Sequence, residues 1–244
     1  MNNYNPSQPF NNGYATAAEA QAQRSLSSYV AKVMRRVYAK MFAGLLLTAV
    51  ISFLVASSPA MIQLIYSSKI VFFGLIIAEL ALVFAISGAI NKLSSTTASL
   101  LFYLYAAING LVLSSIFFAY SPAAITLTFV VTSATFGAMT IFGYVTRQDL
   151  SKIGSILFMA LIGLIIASVV NIFLASSAMD FIISIVGVLI FVGLTAWDTQ
   201  KIKQMASMTD STQAGKVATM GALSLYLDFS NLFLYLLRLF GRND

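Results

Sequence analysis

Three of the eight acidic residues lie within long apolar stretches of this chain, and they are the side chains whose chemistry stands out. They are Glu79, Asp198 and Asp228. A carboxylate near the middle of a bilayer costs at least ~2.5–3.5 kcal/mol on insertion scales, so a helix that carries one should turn it toward protein or water. Asp228 lies near the middle of the segment 218–240, and other polar residues stand close to it in sequence: Ser224, Ser230, Asn231 and Arg238.

Asp198 and Asp228 belong to consecutive apolar segments, and their depths differ by only one or two helical turns, so the two side chains could meet. Two carboxylates at close range in a low-dielectric site do not both ionise easily, and such a pair tends to share a proton. When protonated, the pair is a hydrogen-bonded latch between two helices. When the pair is deprotonated, its two carboxylates repel each other or bind a hard cation such as Ca²⁺, which prefers carboxylate oxygens. The pattern therefore predicts a pH-dependent cation gate and a calcium site at these two aspartates.

Each of these residues also has a purely structural interpretation. Asp228 could accept hydrogen bonds from hydroxyl groups of neighbouring helices, and Asp198 could mark a solvated helix end. Glu79, about 14 Å deep in its segment at about 1.5 Å per residue, could be an interhelical hydrogen-bonding residue. Arg238 fits a side chain that extends to the membrane surface and anchors a helix end.

The composition indicates a polytopic membrane protein. Of the 244 residues, 59% are hydrophobic and only 9% are charged, whereas soluble domains carry about 25% charged residues. There are no cysteines and no histidines, which excludes disulfides, thiolate or histidine metal sites and Ser-His catalysis. The net charge of +6 comes from basic residues at the ends of apolar segments, so it does not indicate a nucleic-acid partner. We expect the lipid bilayer to be the main partner.

The predicted fold is all-α, with seven transmembrane helices of which six surround the last, C-terminal one. A polar segment, residues 1–28, is predicted to be a disordered tail, and residues 29–244 form the membrane domain. Pro122 suits the first turn of the fourth span. The spans, each near the ~20 residues that a crossing helix needs, are predicted at 41–57, 70–90, 98–120, 122–145, 153–175, 180–203 and 218–240.

The distribution of basic residues predicts a cytoplasmic N-terminus. With that orientation the inner side holds Arg24, Lys32, Arg35, Arg36, Lys40, Lys92, Arg147, Lys152, Lys201, Lys203 and Lys216. The outer side then holds only Lys69, Arg238 and Arg242. Because cytoplasmic loops are enriched in Lys and Arg, this bias favours the N-in orientation. Seven spans place the C-terminus outside, whereas a last segment that turns back would place it inside.

The last span reads A-L-S-L-Y-L-D-F-S-N-L-F-L-Y-L-L-R-L-F-G, and the end of the sixth span reads G-L-T-A-W-D-T-Q-K-I-K. These two stretches resemble the C-terminal signature and the second motif of the Bax inhibitor-1 family, and the likeness extends over residues 30–242. The third and fourth spans, F-Y-L-Y-A-A-I-N-G-L-V-L-S-S-I-F and F-V-V-T-S-A-T-F-G-A-M-T-I-F-G-Y-V-T-R-Q-D-L-S, are also similar. The likeness is greatest to the bacterial inner-membrane branch.

The resemblance implies six helices around the last one, a paired-aspartate pH sensor at Asp198 and Asp228, and a pH-dependent calcium leak. In calcium-leak members an arginine of the second helix exchanges partners with the aspartates. This chain has no arginine in that span, and the nearest basic residue is Lys92. Glu79 matches an acidic position of that helix. Some bacterial relatives are instead linked to a membrane-bound AAA protease.

Three functions therefore remain open from the sequence. The first is a calcium leak channel that Asp198 and Asp228 gate, with Glu79, Ser224, Asn231 and Arg238 as supporting polar residues. The second is a regulatory partner of a membrane-bound AAA protease that is engaged through the N-terminal tail. An intramembrane aspartyl protease is disfavoured, because Tyr226-Leu227 precedes Asp228 where a G-x-G-D pattern would be needed. We therefore expect no enzymatic activity and no cofactor, with calcium and protons as the ions handled, in a bacterial inner membrane.

Overall fold

A computed structural model describes the backbone of residues 12–241 and the side chains of residues 17–241. This part of the chain folds into nine helices and no strands. They are α1 (Asn12–Ala56), α2 (Pro59–Tyr66), α3 (Lys69–Ala89), α4 (Ser95–Leu113), α5 (Ile116–Ala119), α6 (Pro122–Val145), α7 (Ser151–Leu174), α8 (Ser177–Met208) and α9 (Ala214–Phe240). Seven of them, with α4 and α5 counted as one, are long and apolar enough to cross a membrane, which confirms the predicted fold class.

The last helix, α9, lies at the centre of the bundle. In its most apolar window 67% of the residues are buried, compared with 6% in α3 and in α7. It packs against α8, α1, α6 and α4 and touches α3. The outer helices present large apolar side chains such as Phe73, Ile77 and Phe173 to their surroundings, as lipid-facing surfaces require. The arrangement agrees with the predicted six helices around a central one.

Close helix contacts at glycines fix α8 between α6, α7 and α9. A Cβ atom on Gly143 of α6 would lie only 2.2 Å from the carbonyl oxygen of Ala196, so the backbones of α6 and α8 touch there. Gly154 of α7 makes room for the ring of Trp197, and Gly187 of α8 receives the ring of Tyr235. Small residues allow such close approach inside membranes. These contacts set the position of the α8 segment that carries Asp198.

The structure differs from the predicted elements at three places. Residues 12–28, predicted as part of a disordered tail, belong to α1, and residues 1–11 lie outside the described part. That stretch is rich in Ala and also contains Gln, and both favour helix. The short helix α2 was not predicted; Pro59 occupies its first turn, after the extended residue Ser58. Helix α8 continues to Met208, beyond the predicted end at residue 203.

Pro122 does lie in the first turn of α6, as predicted, and the Ser121 side chain accepts a hydrogen bond from the backbone N–H of Ala124 there. We call the end of the bundle where α9 begins the proximal face, and the end where α9 finishes the distal face. Helices α1, α4, α7 and α9 run from proximal to distal, and α3, α6 and α8 run back.

Candidate functional site

Asp228 lies on the central helix and is almost completely buried. Its side chain is 4% exposed, and its Oδ2 atom has no hydrogen-bond partner among the described residues. Ser224, Asn231 and Tyr235 follow the spacing of one face of α9, so they lie above and below Asp228 on that face. A buried carboxylate oxygen without a donor needs a proton, a water molecule or a cation to satisfy it.

Asp198 is half-buried on α8, which runs antiparallel to α9. The register of the two helices follows from two contacts, Gly221 against Ile202 and Gly187 against Tyr235. This register places Asp198 level with Leu225, so Asp228 lies three residues, or ~4.5 Å, closer to the distal face. A Cα–Cβ bond tilts toward the N-terminus of its helix, so the two aspartates lean toward each other. Their carboxyl groups lie within range of a direct electrostatic interaction.

Both aspartates line one cavity of about 360 Å³ between α7, α8 and α9. The cavity exists because α7 packs closely on α8 and hardly approaches α9. Along α9 it extends from Ser224 to Tyr235, a distance of ~16 Å, about half of the ~30 Å thickness of the hydrocarbon region. Its other walls are mostly apolar, with Phe158, Leu161 and Ile165 from α7. A few polar groups in an apolar cleft are typical of a binding or transport site.

A basic side chain also lines this cavity. Lys201 lies one helical turn proximal of Asp198, close enough to interact with its carboxylate, and it contributes to the cavity wall. Its ammonium nitrogen lies 4.8 Å from the centre of the Trp197 ring, which is a cation–π distance. The side chain is exposed, so it stands at the proximal rim of the cavity. Lys92, the nearest basic residue to the second span in sequence, does not line the cavity.

The structure places the remaining predicted residues at different points. Ser224 and Asn231 line the cavity, and the Asn231 amide donates to the carbonyl oxygen of Leu227 at 2.8 Å. Arg238 lies at the distal face and pairs with Asp180 at 3.6 Å, and both side chains are more than two-fifths exposed. Arg238 is thus the partner of a surface carboxylate and does not line the cavity of Asp198 and Asp228.

Glu79 lies elsewhere, in a chain of hydrogen bonds between α3, α4, α9 and α1. The Asn109 amide donates to Glu79 Oε1 at 2.8 Å, and the Tyr226 hydroxyl donates to Asn109 Oδ1 at 2.9 Å. The Thr48 hydroxyl lies 2.6 Å from the Tyr226 hydroxyl. Tyr226 and Asp228 are two residues apart, so they point to opposite sides of α9. The interhelical hydrogen-bonding interpretation of Glu79 agrees with this geometry.

Sequence reasoning missed Asn109, Tyr226 and Lys40 as polar residues of the interior. The Lys40 ammonium donates to the hydroxyl groups of Ser99 and Thr219 on α4 and α9. An amide in the middle of an apolar span was the available signal for Asn109, since polar groups at that depth need partners. For Lys40 the basic run before the first span masked the signal, because lysine there also fits a surface anchor.

The cavity does not contain a ready-made metal cage. No group of three or more acidic, histidine or cysteine side chains that could hold a metal ion occurs between residues 17 and 241. Calcium takes six to eight oxygen ligands, and here two carboxylates and a few neutral oxygens are at hand. The donors fit a cation that keeps part of its water shell.

Comparison with known proteins agrees with the geometry at the level of the family. The profile of the family described as "Inhibitor of apoptosis-promoting Bax1" matches residues 30–244. "Inner membrane protein YbhL" of Escherichia coli K12 is 49% identical over 224 residues, which cover 91% of this chain and 94% of that protein. An uncharacterized protein of Borreliella burgdorferi is 47% identical, covering 87% and 94%. One of Deinococcus radiodurans is 42% identical, covering 92% and 96%. The chain is therefore a multi-pass membrane protein that belongs to the Bax inhibitor-1 family.

Proposed function

We propose that this protein is a pH-dependent cation leak channel, with calcium as the permeant ion and the pair Asp198–Asp228 as its gate. The observation that carries the proposal is the shared cavity: both carboxylates line it, and Asp228 Oδ2 is buried without a partner among residues 17–241. A path for a divalent cation needs negative charge at membrane depth, and these two residues supply it. We infer no catalytic role for them.

The proton count of the pair sets its charge. With a proton between them, the carboxyl groups can hold α8 and α9 together by a hydrogen bond. Without it, two negative charges repel each other or attract a cation. Lys201 at the rim supplies a tethered positive charge that competes with an entering cation for Asp198. Because the cavity crosses only about half of the hydrocarbon region, passage also needs a movement that opens the remaining half.

The test is calcium flux into vesicles that contain the purified protein, measured against pH. Asp198→Asn and Asp228→Asn keep the side-chain size but cannot change charge, so we expect either variant to lose the pH dependence of the wild-type flux. Asp180→Asn is the matched control, since Asp180 lies on α8 as well but is exposed at the distal face. An unchanged pH response in both cavity variants would defeat the proposal.

We further propose that the protein lies in a bacterial inner membrane with its proximal face toward the cytoplasm. The excess of basic residues on that side and the printed name of the Escherichia coli relative support this orientation and location. The chain has no cysteine, so a single cysteine introduced at Ser28 or at Ser67 can be labelled without background. Labelling of Ser28→Cys by an impermeant reagent in intact cells would contradict the orientation.

A second candidate is a regulatory partner of a membrane-bound AAA protease. The favouring observation is that all side chains from residue 17 to residue 28 are exposed, so this part of α1 is available to another protein. Deletion of residues 1–28 should then change the turnover of substrates of that protease. The leak proposal predicts that calcium flux survives the same deletion, so the two functions give different results.

A further inference from the structure

We propose that the distal half of the bundle binds one acyl chain of a bilayer phospholipid in a cavity between α1, α6 and α9, with the Ser52 hydroxyl donating to the lipid's ester oxygen. We call it the lateral cavity. Its walls include Leu45, Thr48, Phe129, Phe229 and Phe233, together with Ser52. It lies across α9 from the aspartate cavity and shares no residue with it, so the inference is independent of the proposed channel function.

The lateral cavity has a buried floor and an exposed rim. Thr48, Phe229 and Phe233 are buried, whereas Phe129 on the rim is exposed. Helices α1 and α6 form opposite walls without packing on each other, and Leu113, Ile116 and Phe117 at the end of α4 and in α5 also line the cavity. The opening lies between α1 and α6 on the lipid-facing surface. The volume is about 270 Å³, and an apolar cavity of about 150 Å³ is already large enough to bind benzene. A run of several methylene groups therefore fits.

Ser52 supplies an unused hydrogen-bonding group in this apolar space. It is 3% exposed, and its hydroxyl has no partner among the described residues. By contrast, the Thr48 hydroxyl, one turn earlier on α1, donates to the carbonyl oxygen of Gly44. A buried hydroxyl without an acceptor is unfavourable, so an acceptor on a ligand would be bound favourably.

The order of polar and apolar groups matches the order in a phospholipid. Ser52 lies four residues before the end of α1, ~6 Å from its distal end and near the level where the hydrocarbon region meets the headgroups. Leu45 lies ~10 Å deeper in the membrane. The hydrogen-bond donor is thus near the depth of lipid ester groups, and the apolar walls continue toward the bilayer centre. The lipid that surrounds α1 and α6 is continuous with the opening of the cavity.

A bound acyl chain would lie next to the central helix α9 and to the hydrogen bond that joins it to α1. Thr48 hydrogen-bonds to Tyr226 at 2.6 Å, and Phe229 and Ser230 directly follow Asp228 on α9. An acyl chain in the lateral cavity would fill the space beside α9 on the side that faces away from the aspartates. It would also satisfy Ser52 without bringing water into the bundle.

The experiment uses the full chain in phosphatidylethanolamine–phosphatidylglycerol vesicles that contain a phosphatidylethanolamine with a photoreactive group on its acyl chain. After irradiation, mass spectrometry locates the labelled peptides. We expect labelling on wall residues near Leu45 and Phe233. Ala49→Phe places a large ring in the wall of the cavity and should reduce this labelling about tenfold or more, a loss of ~1.4 kcal/mol or more of binding. Val50→Phe is the matched control, because the neighbouring exposed Val50 is not in the wall, and it should label like the wild type.

Ser52→Ala tests the hydrogen bond. It should lower the labelling about fivefold, the equivalent of ~1 kcal/mol of binding free energy. It should not lower the thermal stability in detergent, since the hydroxyl has no partner among the described residues when no lipid is bound. Equal labelling of the cavity walls in Ala49→Phe and Val50→Phe would overturn the proposal. So would labels spread evenly over the lipid-facing residues, which would indicate surrounding lipid only, or labelling of the cavity by a water-soluble reagent.

Discussion

Replacing Gly143 by alanine should displace Asp198 without changing any charged residue. The added Cβ would lie 2.2 Å from the carbonyl oxygen of Ala196, and that atom belongs to the backbone of α8, so it cannot rotate away. An ordinary contact at that position needs a separation of about 3.4 Å, so α6 and α8 must move apart by about 1.2 Å. Overpacking of this kind costs ~1–3 kcal/mol.

The displaced segment carries Asp198 two residues after Ala196. A shift of about 1 Å changes the separation of the two carboxyl groups, whose proton affinity depends on their distance. We therefore expect Gly143→Ala to lower the thermal stability in detergent and to move the pH at which calcium flux changes. Both quantities can be measured on one preparation of the purified protein.

Gly137→Ala is the control, because it lies on the same helix and a Cβ there would meet nothing within 4 Å. We expect this variant to match the wild type or to be slightly more stable, by at most ~1 kcal/mol, since alanine is the better helix former. If Gly143→Ala and Gly137→Ala behave alike in both measurements, α6 and α8 do not touch at Ala196 as described, and the argument for how Asp198 is positioned fails.

Three further outcomes can be checked with the same measurements. Tyr226→Phe removes the hydroxyl that links Thr48 to Asn109 and should lower the free energy of unfolding by ~0.6–2 kcal/mol. Tyr103→Phe, the control, removes a hydroxyl that has no such link and should be neutral. Equal stabilities of the two variants would contradict the hydrogen-bond chain. Asp180→Asn breaks the exposed ion pair with Arg238 and should lower the free energy of unfolding by less than ~1 kcal/mol, because exposed ion pairs are weak. A large loss of stability would show that the pair is buried in the membrane-embedded protein. Deletion of residues 1–28 should leave thermal stability nearly unchanged, since the side chains from 17 to 28 are exposed, and a large loss would show that this part of α1 packs on the bundle.

The number of spans and the central place of the last helix could be predicted because each rests on a local signal. Seven apolar stretches of crossing length are visible in the sequence, and a carboxylate in the middle of the last one requires protein around it. The start of α1 was not predicted well. A stretch rich in Ala and Gln is polar like a disordered tail, and only its helix propensity distinguishes the two.

The cavity around the aspartates could be predicted only in part. The depths of Asp198 and Asp228 follow from their positions in consecutive spans, so their proximity was a reasonable expectation. The rotation of α8 about its axis was not predictable, because it is set by contacts such as that between Gly187 and Tyr235. The presence of Lys201 in the cavity wall depends on the same rotation. Asn109 and Tyr226 are far apart in sequence, so their hydrogen bond with each other could not be inferred from spacing.

Calcium flux against pH, measured in vesicles for the wild type and for Asp228→Asn, tests the central claim most directly. Asparagine at position 228 has nearly the same shape but has no carboxyl proton to gain or lose. The account predicts that wild-type flux changes with pH and that flux through the variant stays nearly constant. A variant whose flux follows pH as the wild type does would show that the buried carboxyl group of Asp228 does not control the path.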